Sequence, residues 1–81
     1  MFRHIAGIHL FMMSELVFLV EDDADGGLTA RALGESIFTQ GNTREELLRN
    51  IRDAVQCHFE SSDQTPRILR LHYVRDEVLA L

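Results

Sequence analysis

Length, composition and charge restrict this chain to a few classes of protein. Its 81 residues suffice for one domain, and 46% hydrophobic with 26% charged residues is ordinary for a globular protein and argues against disorder. The net charge of −5 argues against a general nucleic-acid binder, because phosphate neutralisation needs a basic face. A chain this short buries only about 60–65% of its unfolded surface. We therefore expect a homo-oligomer, which would add buried surface, and no DNA partner.

Cysteine content and hydropathy exclude further kinds of site and of protein. The single cysteine, Cys57, excludes an internal disulfide and a cysteine-rich zinc site. A reducing, cytoplasmic environment is the simplest inference. No apolar run reaches the roughly 18 residues of a transmembrane helix, so no membrane partner is predicted.

Residues 1–13 differ in pattern from the rest of the chain. They hold one arginine followed by a short apolar run that histidines interrupt. A secretory signal peptide would need a longer apolar core and a small-residue cleavage site. We interpret residues 1–13 as an N-terminal extension of the domain. An overlong start of the chain or a loose extension is favoured over a functional anchor. An additional strand formed by these residues stays open. Residues 14–81 are then a single domain.

Three short strands are predicted next. Glu15–Val20 is an apolar run rich in β-branched and aromatic residues, which favours a strand at this length. Glu21–Gly27 is acidic and ends in two glycines, which is typical of a hairpin turn. Leu28–Leu33 alternates apolar with polar residues and returns antiparallel. After a turn at residues 34–35, Ser36–Gln40 forms the third strand, with residues 37 and 39 on one face and residue 38 on the other.

The helix has the strongest local signals. Thr43 is a natural N-cap, and Glu46 three residues later completes a capping box. Glu45 and Glu46 in the first turn complement the helix dipole. Apolar residues then recur at helical spacing and predict a helix to about Phe59. They are Leu47, Leu48, Ile51, Ala54, Val55 and Phe59.

A polar linker at residues 61–66 precedes the last strand, Arg67–Val74. Apolar residues at 69, 71 and 73 alternate with Arg70 and His72, so we expect one face to pack on the core. The order β-β-β-α-β predicts an α+β fold, a two-layer sandwich. It combines a three-stranded antiparallel meander and a fourth strand with one helix packed on one face.

The acidic turn is the obvious candidate for a metal site. Glu21-x-Asp23-x-Asp25-Gly26 matches the start of an EF-hand loop, but Ala32 stands where the bidentate glutamate belongs. Strand signals also flank the turn where an EF-hand has helices. We therefore predict a solvated hairpin turn, with no metal and no cofactor.

The sequence evidence for a catalytic site is as weak as that for a metal site. Cys57 and His58 are adjacent on the helix, so their side chains do not face each other as a dyad would. The sequence shows no glycine-rich phosphate loop, Ser-His-Asp order or HExxH motif. We predict no catalytic residue and a protein that is not an enzyme.

The last strand is locally basic. Arg67, Arg70, His72 and Arg75 are candidates for a small RNA- or phosphate-binding patch. The competing interpretation, which we favour, is a solvated strand face whose arginines pair with the acidic turn.

These residues together resemble the HicB-like antitoxin family. The family pattern runs from an apolar strand through an acidic Asp-Gly-Gly turn, an aromatic-x-Ala strand and a strand ending near Gly to a Thr-x-x-Glu helix start. Leu28 replaces the usual aromatic residue. The matching residues are Leu16–Val20, Asp25-Gly26-Gly27, Leu28-Thr29-Ala30, Ser36–Gly41 and Thr43–Glu46, so the resemblance covers roughly residues 15–60.

The resemblance implies a partial RNase-H-like fold without the catalytic carboxylates of RNase H. It also implies oligomerisation and, in full antitoxins, binding to a small mRNA-cleaving toxin. Full antitoxins usually carry a C-terminal DNA-binding domain, which nothing after Val74 supplies, so operator binding is not expected. We expect a non-enzymatic interaction module, with a small basic toxin as the candidate partner. A small RNA-associated module and a small-molecule-binding accessory protein stay open as alternatives.

Overall fold

A computed structural model describes residues 14–60 and 63–81 of the chain. The proposed extension at residues 1–13 lies outside the described residues. The chain order is strand, strand, strand, helix, strand, as predicted. The elements are β1 (Glu15–Asp22), β2 (Leu28–Ala32), β3 (Phe38–Gly41), α1 (Arg44–His58) and β4 (Ile68–Val74).

The strands form one mixed sheet in the order β3-β2-β1-β4. β1 pairs antiparallel with β2, and β2 pairs antiparallel with β3. β4 pairs parallel with β1, with Phe18 opposite Leu71. The predicted α+β sandwich is therefore confirmed, with the fourth strand at the edge of the sheet beside the first.

The core lies between α1 and one face of the sheet. Alternate residues of β1 point toward the helix, and Phe18 and Val20 are fully buried there. Leu47 and Ile51 of α1 meet them with at most 1% exposure. Burying a side chain of this size contributes about 1.5–3 kcal/mol. The other buried residues are Leu16, Ala30, Ala32, Ile37 and Val55.

Local hydrogen bonds set the start of α1. The Thr43 hydroxyl accepts from the Glu46 backbone N–H at 3.1 Å, which confirms the predicted N-cap. The Glu46 carboxylate accepts from the backbone N–H of Asn42 at 2.6 Å, one residue before the position that a capping box prescribes. The Asn50 amide also donates to the Gln40 carbonyl at 2.7 Å, which ties α1 to β3.

The prediction that residues 69, 71 and 73 pack on the core is only partly right. Leu69 and Leu71 are half-buried, and Tyr73 keeps 46% of its surface exposed. The cause is the position of α1, which contacts β3 most extensively and then β2. β4 lies at the opposite edge, so the single helix covers it incompletely.

Within residues 14–60 and 63–81, no helix has the length and apolar character needed to cross a membrane.

Candidate functional site

The sheet face that α1 does not cover is a candidate interaction surface. Alternation along the strands puts Val17 and Leu19 of β1 on this face, beside Arg70 and His72 of β4. We call it the open sheet face. Its other members are Glu15, Glu21, Thr29, Arg31, Leu33, Phe38, Gln40, Ile68 and Val74.

Large apolar side chains are exposed on the open sheet face. Phe38 is 64% exposed, Ile68 48% and Leu33 47%. Leu33 lies against β1, where its backbone N–H donates to the Val17 carbonyl at 2.9 Å. A cluster of exposed apolar residues on one face is typical of an interaction surface.

The sequence predicts this surface only in part. Phe38 and Ile37 lie on opposite faces of the predicted third strand, but the sequence does not decide which face is buried. Leu33 and Ile68 carry no signal of their own that singles them out. The signal was present in the alternation of each strand, but only the position of the helix decides which set faces outward.

The four basic candidates of the last strand do not form one patch. Arg70 and His72 belong to the open sheet face, whereas Arg67 lies on the helix side, near Leu69. Arg75 follows β4. Among the described residues, Arg67 and His72 form no ion pair.

Two of the four cations are already engaged by carboxylates. Arg75 donates to both carboxylate oxygens of Asp22, from Nε at 2.7 Å and from the guanidinium NH2 at 3.3 Å. Arg70 donates to Glu15. Arg75 therefore pairs with the acidic turn as predicted, while Arg70 pairs instead with the start of β1. Binding of RNA or phosphate by these residues stays a prediction.

These pairs shift the ionisation of their members. The hydrogen bond from Arg70 lowers the pKa of Glu15 below its ordinary value, and the hydrogen bond from Arg75 does the same to the pKa of Asp22. The same bonds raise the pKa of each arginine. The pairs fasten β4 to β1 at both ends of the strand, since the register puts Glu15 and Asp22 near opposite ends of β1.

The acidic segment between β1 and β2 is a hairpin turn. The Gly26 N–H donates to the Asp23 carbonyl at 2.9 Å, and the Asp23 N–H donates to the Gly27 carbonyl at 3.0 Å. Gly26 and Gly27 have φ angles of +94° and +85°, which side chains disfavour. The predicted turn is confirmed. In the described part of the chain, no three His, Cys, Asp or Glu side chains group to hold a metal ion.

The residues at the end of α1 do not form a thiol–imidazole pair. His58 Nε2 lies 3.0 Å from Glu35 Oε1, in the turn between β2 and β3. Cys57 is exposed and not in a disulfide. The His58 contact links the end of the helix to the sheet, which is a structural role.

A groove of about 370 Å³ runs between α1 and β4. Its walls combine apolar side chains of the helix and of the strand with the polar residues at the start of β4. We call it the α1–β4 groove. It is lined by Leu48, Ile51, Arg52, Val55, Gln56, Thr65, Pro66, Arg67, Leu69 and Leu71.

Comparisons with known proteins place the chain among small proteins. It is 42% identical over 67 residues to a UPF0150 protein of Thermotoga maritima, across 83% of this chain and 93% of that relative. It is 55% identical over 49 residues to a UPF0150 protein of Archaeoglobus fulgidus, across 60% of this chain and 73% of that relative. No family model matches the chain. No solved structure matches it significantly.

Proposed function

We propose that this chain, which belongs to the UPF0150 family of small proteins, is a non-enzymatic protein-interaction module of the HicB-like antitoxin type that its sequence resembles. The observation that carries the proposal is the open sheet face, with Phe38, Ile68 and Leu33 each about half exposed or more. Antiparallel sheets often present one polar face to water. On this face Val17 and Leu19 of the inner strand β1 are apolar and half-buried, and covering them together with the exposed apolar residues would release the water that lies on them.

Charge indicates the kind of partner. The chain carries 13 acidic and 8 basic residues, and two of its arginines are neutralised by carboxylates within the fold. Asp25 is exposed in the hairpin turn and Asp23 is half-buried there, and no ion pair joins either to another described residue. Complementary charge accelerates encounter and selects the partner. A small basic, RNA-cleaving toxin fits such a surface.

Binding of a small basic protein to the open sheet face can be measured directly. A reading frame for a small basic protein would be sought beside the gene of this chain, and its product would be purified and titrated with the chain by calorimetry. Phe38→Asp places a charge on β3, at one edge of the open sheet face and at its most exposed apolar side chain, and we expect it to weaken binding at least tenfold. Phe38 is 64% exposed, so the fold should tolerate the change.

The matched control is Arg49→Gln on the exposed side of α1, which changes the net charge by the same amount. It should bind like the unchanged protein. Absence of binding by the unchanged protein would contradict the proposed function. Equal binding by Phe38→Asp would show instead that the open sheet face is not the contact surface.

A further inference from the structure

β4 is an unprotected edge of the sheet. It pairs with β1 on one side, and within the described sheet no strand lies on its other side. It is seven residues long, whereas the opposite edge strand, β3, has four. Edge strands of this length offer a row of backbone donors and acceptors, and proteins usually cover or pair them.

The segment after β4 is apolar and exposed. Residues 75–81 follow the strand without helix or sheet structure. Val78 is 91% exposed and Leu79 81%. Neither side chain therefore packs within its own domain.

The α1–β4 groove is the complementary feature. Leu69 and Leu71 form its floor and are only half-buried, because α1 lies over the other strands. The groove has apolar walls at Leu48 and Val55 and a volume of about 370 Å³. A leucine side chain that entered the α1–β4 groove would bury its own apolar surface and that of the side chains lining the groove.

We propose that two copies pair edge to edge along β4, antiparallel, with Leu79 of each copy entering the α1–β4 groove of the other. A two-fold axis at Val74 sets residue 79 of one copy opposite residue 69 of the other. Opposite residues of an antiparallel pair point to the same face. Leu79 therefore lies on the helix side, beside Leu69, and both helices cover the same face of one continuous sheet.

One polar pair fits the same register. With Val74 on the axis, Asp76 of one copy lies opposite His72 of the other, on the open sheet face. Because the contact is isologous, this pair occurs twice in the dimer. Glu77 falls opposite Leu71, and Arg70 stays paired with Glu15 of its own chain.

A second copy is favoured over the chain's own segment. Folding back onto the same β4 would need a tight hairpin, and residues 75–77 are Arg-Asp-Glu, without the glycine or asparagine that such turns prefer. Arg75 is also held by Asp22 at 2.7 Å. A hairpin of the segment back onto its own β4 is therefore disfavoured.

The first test is the mass of the protein in solution. Analytical ultracentrifugation of the full chain should give a dimer, or a tetramer built from such dimers. Leu79→Asp should weaken the association at least tenfold. Phe38→Asp, which adds the same charge on the open sheet face, should keep the β4 contact. A monomeric unchanged protein, or a Leu79→Asp variant that associates normally, would overturn the proposal.

Cross-linking tests the register itself. In a Cys57→Ser background, Leu69→Cys combined with Leu79→Cys should form covalent dimers under mild oxidation, since opposite residues lie within disulfide range. The pair Leu69→Cys and Val78→Cys places its thiols on opposite faces and should cross-link far less. A disulfide within one chain would show that the segment folds back, and equal yields from both pairs would refute the register. Neither result bears on toxin binding, so the two proposals fail separately.

Discussion

Gly41 sits where β3 passes closest to the start of α1, and its replacement by alanine is the sharpest test of this packing. An added Cβ would lie 2.6 Å from the Leu47 backbone nitrogen and 2.8 Å from the Leu47 Cα. Both neighbours are backbone atoms of a helix, so neither can rotate away. The first turn of α1 must move instead.

The structure gives the size of the effect. Restoring ordinary contact, from 2.6 Å to 3.4 Å, displaces the helix by about 0.8 Å. Leu47 is fully buried, so this movement loosens the core around Phe18 and Ile51. Overpacking of this kind costs about 1–3 kcal/mol, and we expect the upper end because backbone must shift. For a domain of this size, about 3 kcal/mol lowers the melting temperature by about 12–24 °C.

Thermal unfolding followed by circular dichroism measures the change. Protein concentration must be constant, because association changes apparent stability. Gly34→Ala is the control: Gly34 has a φ of +92° with no atom within 4 Å of an added Cβ, so it incurs backbone strain alone, about 1–2 kcal/mol. If Gly41→Ala proved less destabilising than Gly34→Ala, the close approach of β3 and α1 would be wrong.

Two further predictions concern local bonds. Thr43→Ala removes the acceptor for the Glu46 N–H and should cost about 1 kcal/mol in chemical denaturation, whereas Thr43→Ser should cost little; equal losses would refute the cap. Arg70→Gln should lower the melting temperature near neutral pH. Since Arg70 lowers the pKa of Glu15 in the folded state, the stabilisation is complete above the ordinary carboxyl pKa and disappears as pH falls through the lowered value. The difference between the two proteins should therefore shrink as pH falls through that lowered pKa and vanish below it, and a difference that persisted in strong acid would exclude the ion pair as its cause.

Features encoded by neighbouring residues were predictable from sequence. Thr43 and Glu46 are three residues apart, and their bond forms within one helical turn. The turn before Leu28 follows from glycines whose positive φ angles few other residues adopt. The alternation of β2 likewise predicted the burial of Ala30 and Ala32.

Features that depend on residues far apart in the sequence were not predictable in this way. The pairing of Arg70 with Glu15 joins residues 55 positions apart. The exposure of Tyr73 depends on which strands α1 covers. The open sheet face was visible only as a choice between Ile37 and Phe38, which the helix resolves by burying Ile37 to 6% exposure.

The element order, the helix start, the hairpin and the α+β class follow from the sequence alone, because each rests on periodicity or on hydrogen bonds between near neighbours. The parallel pairing of β4 with β1 at an edge, its incomplete cover by the helix and the outward position of Leu33, Phe38 and Ile68 follow only from the folded chain. The physical reason is that alternation divides a strand into two faces, and where both faces carry apolar residues the position of the single helix decides which one is buried.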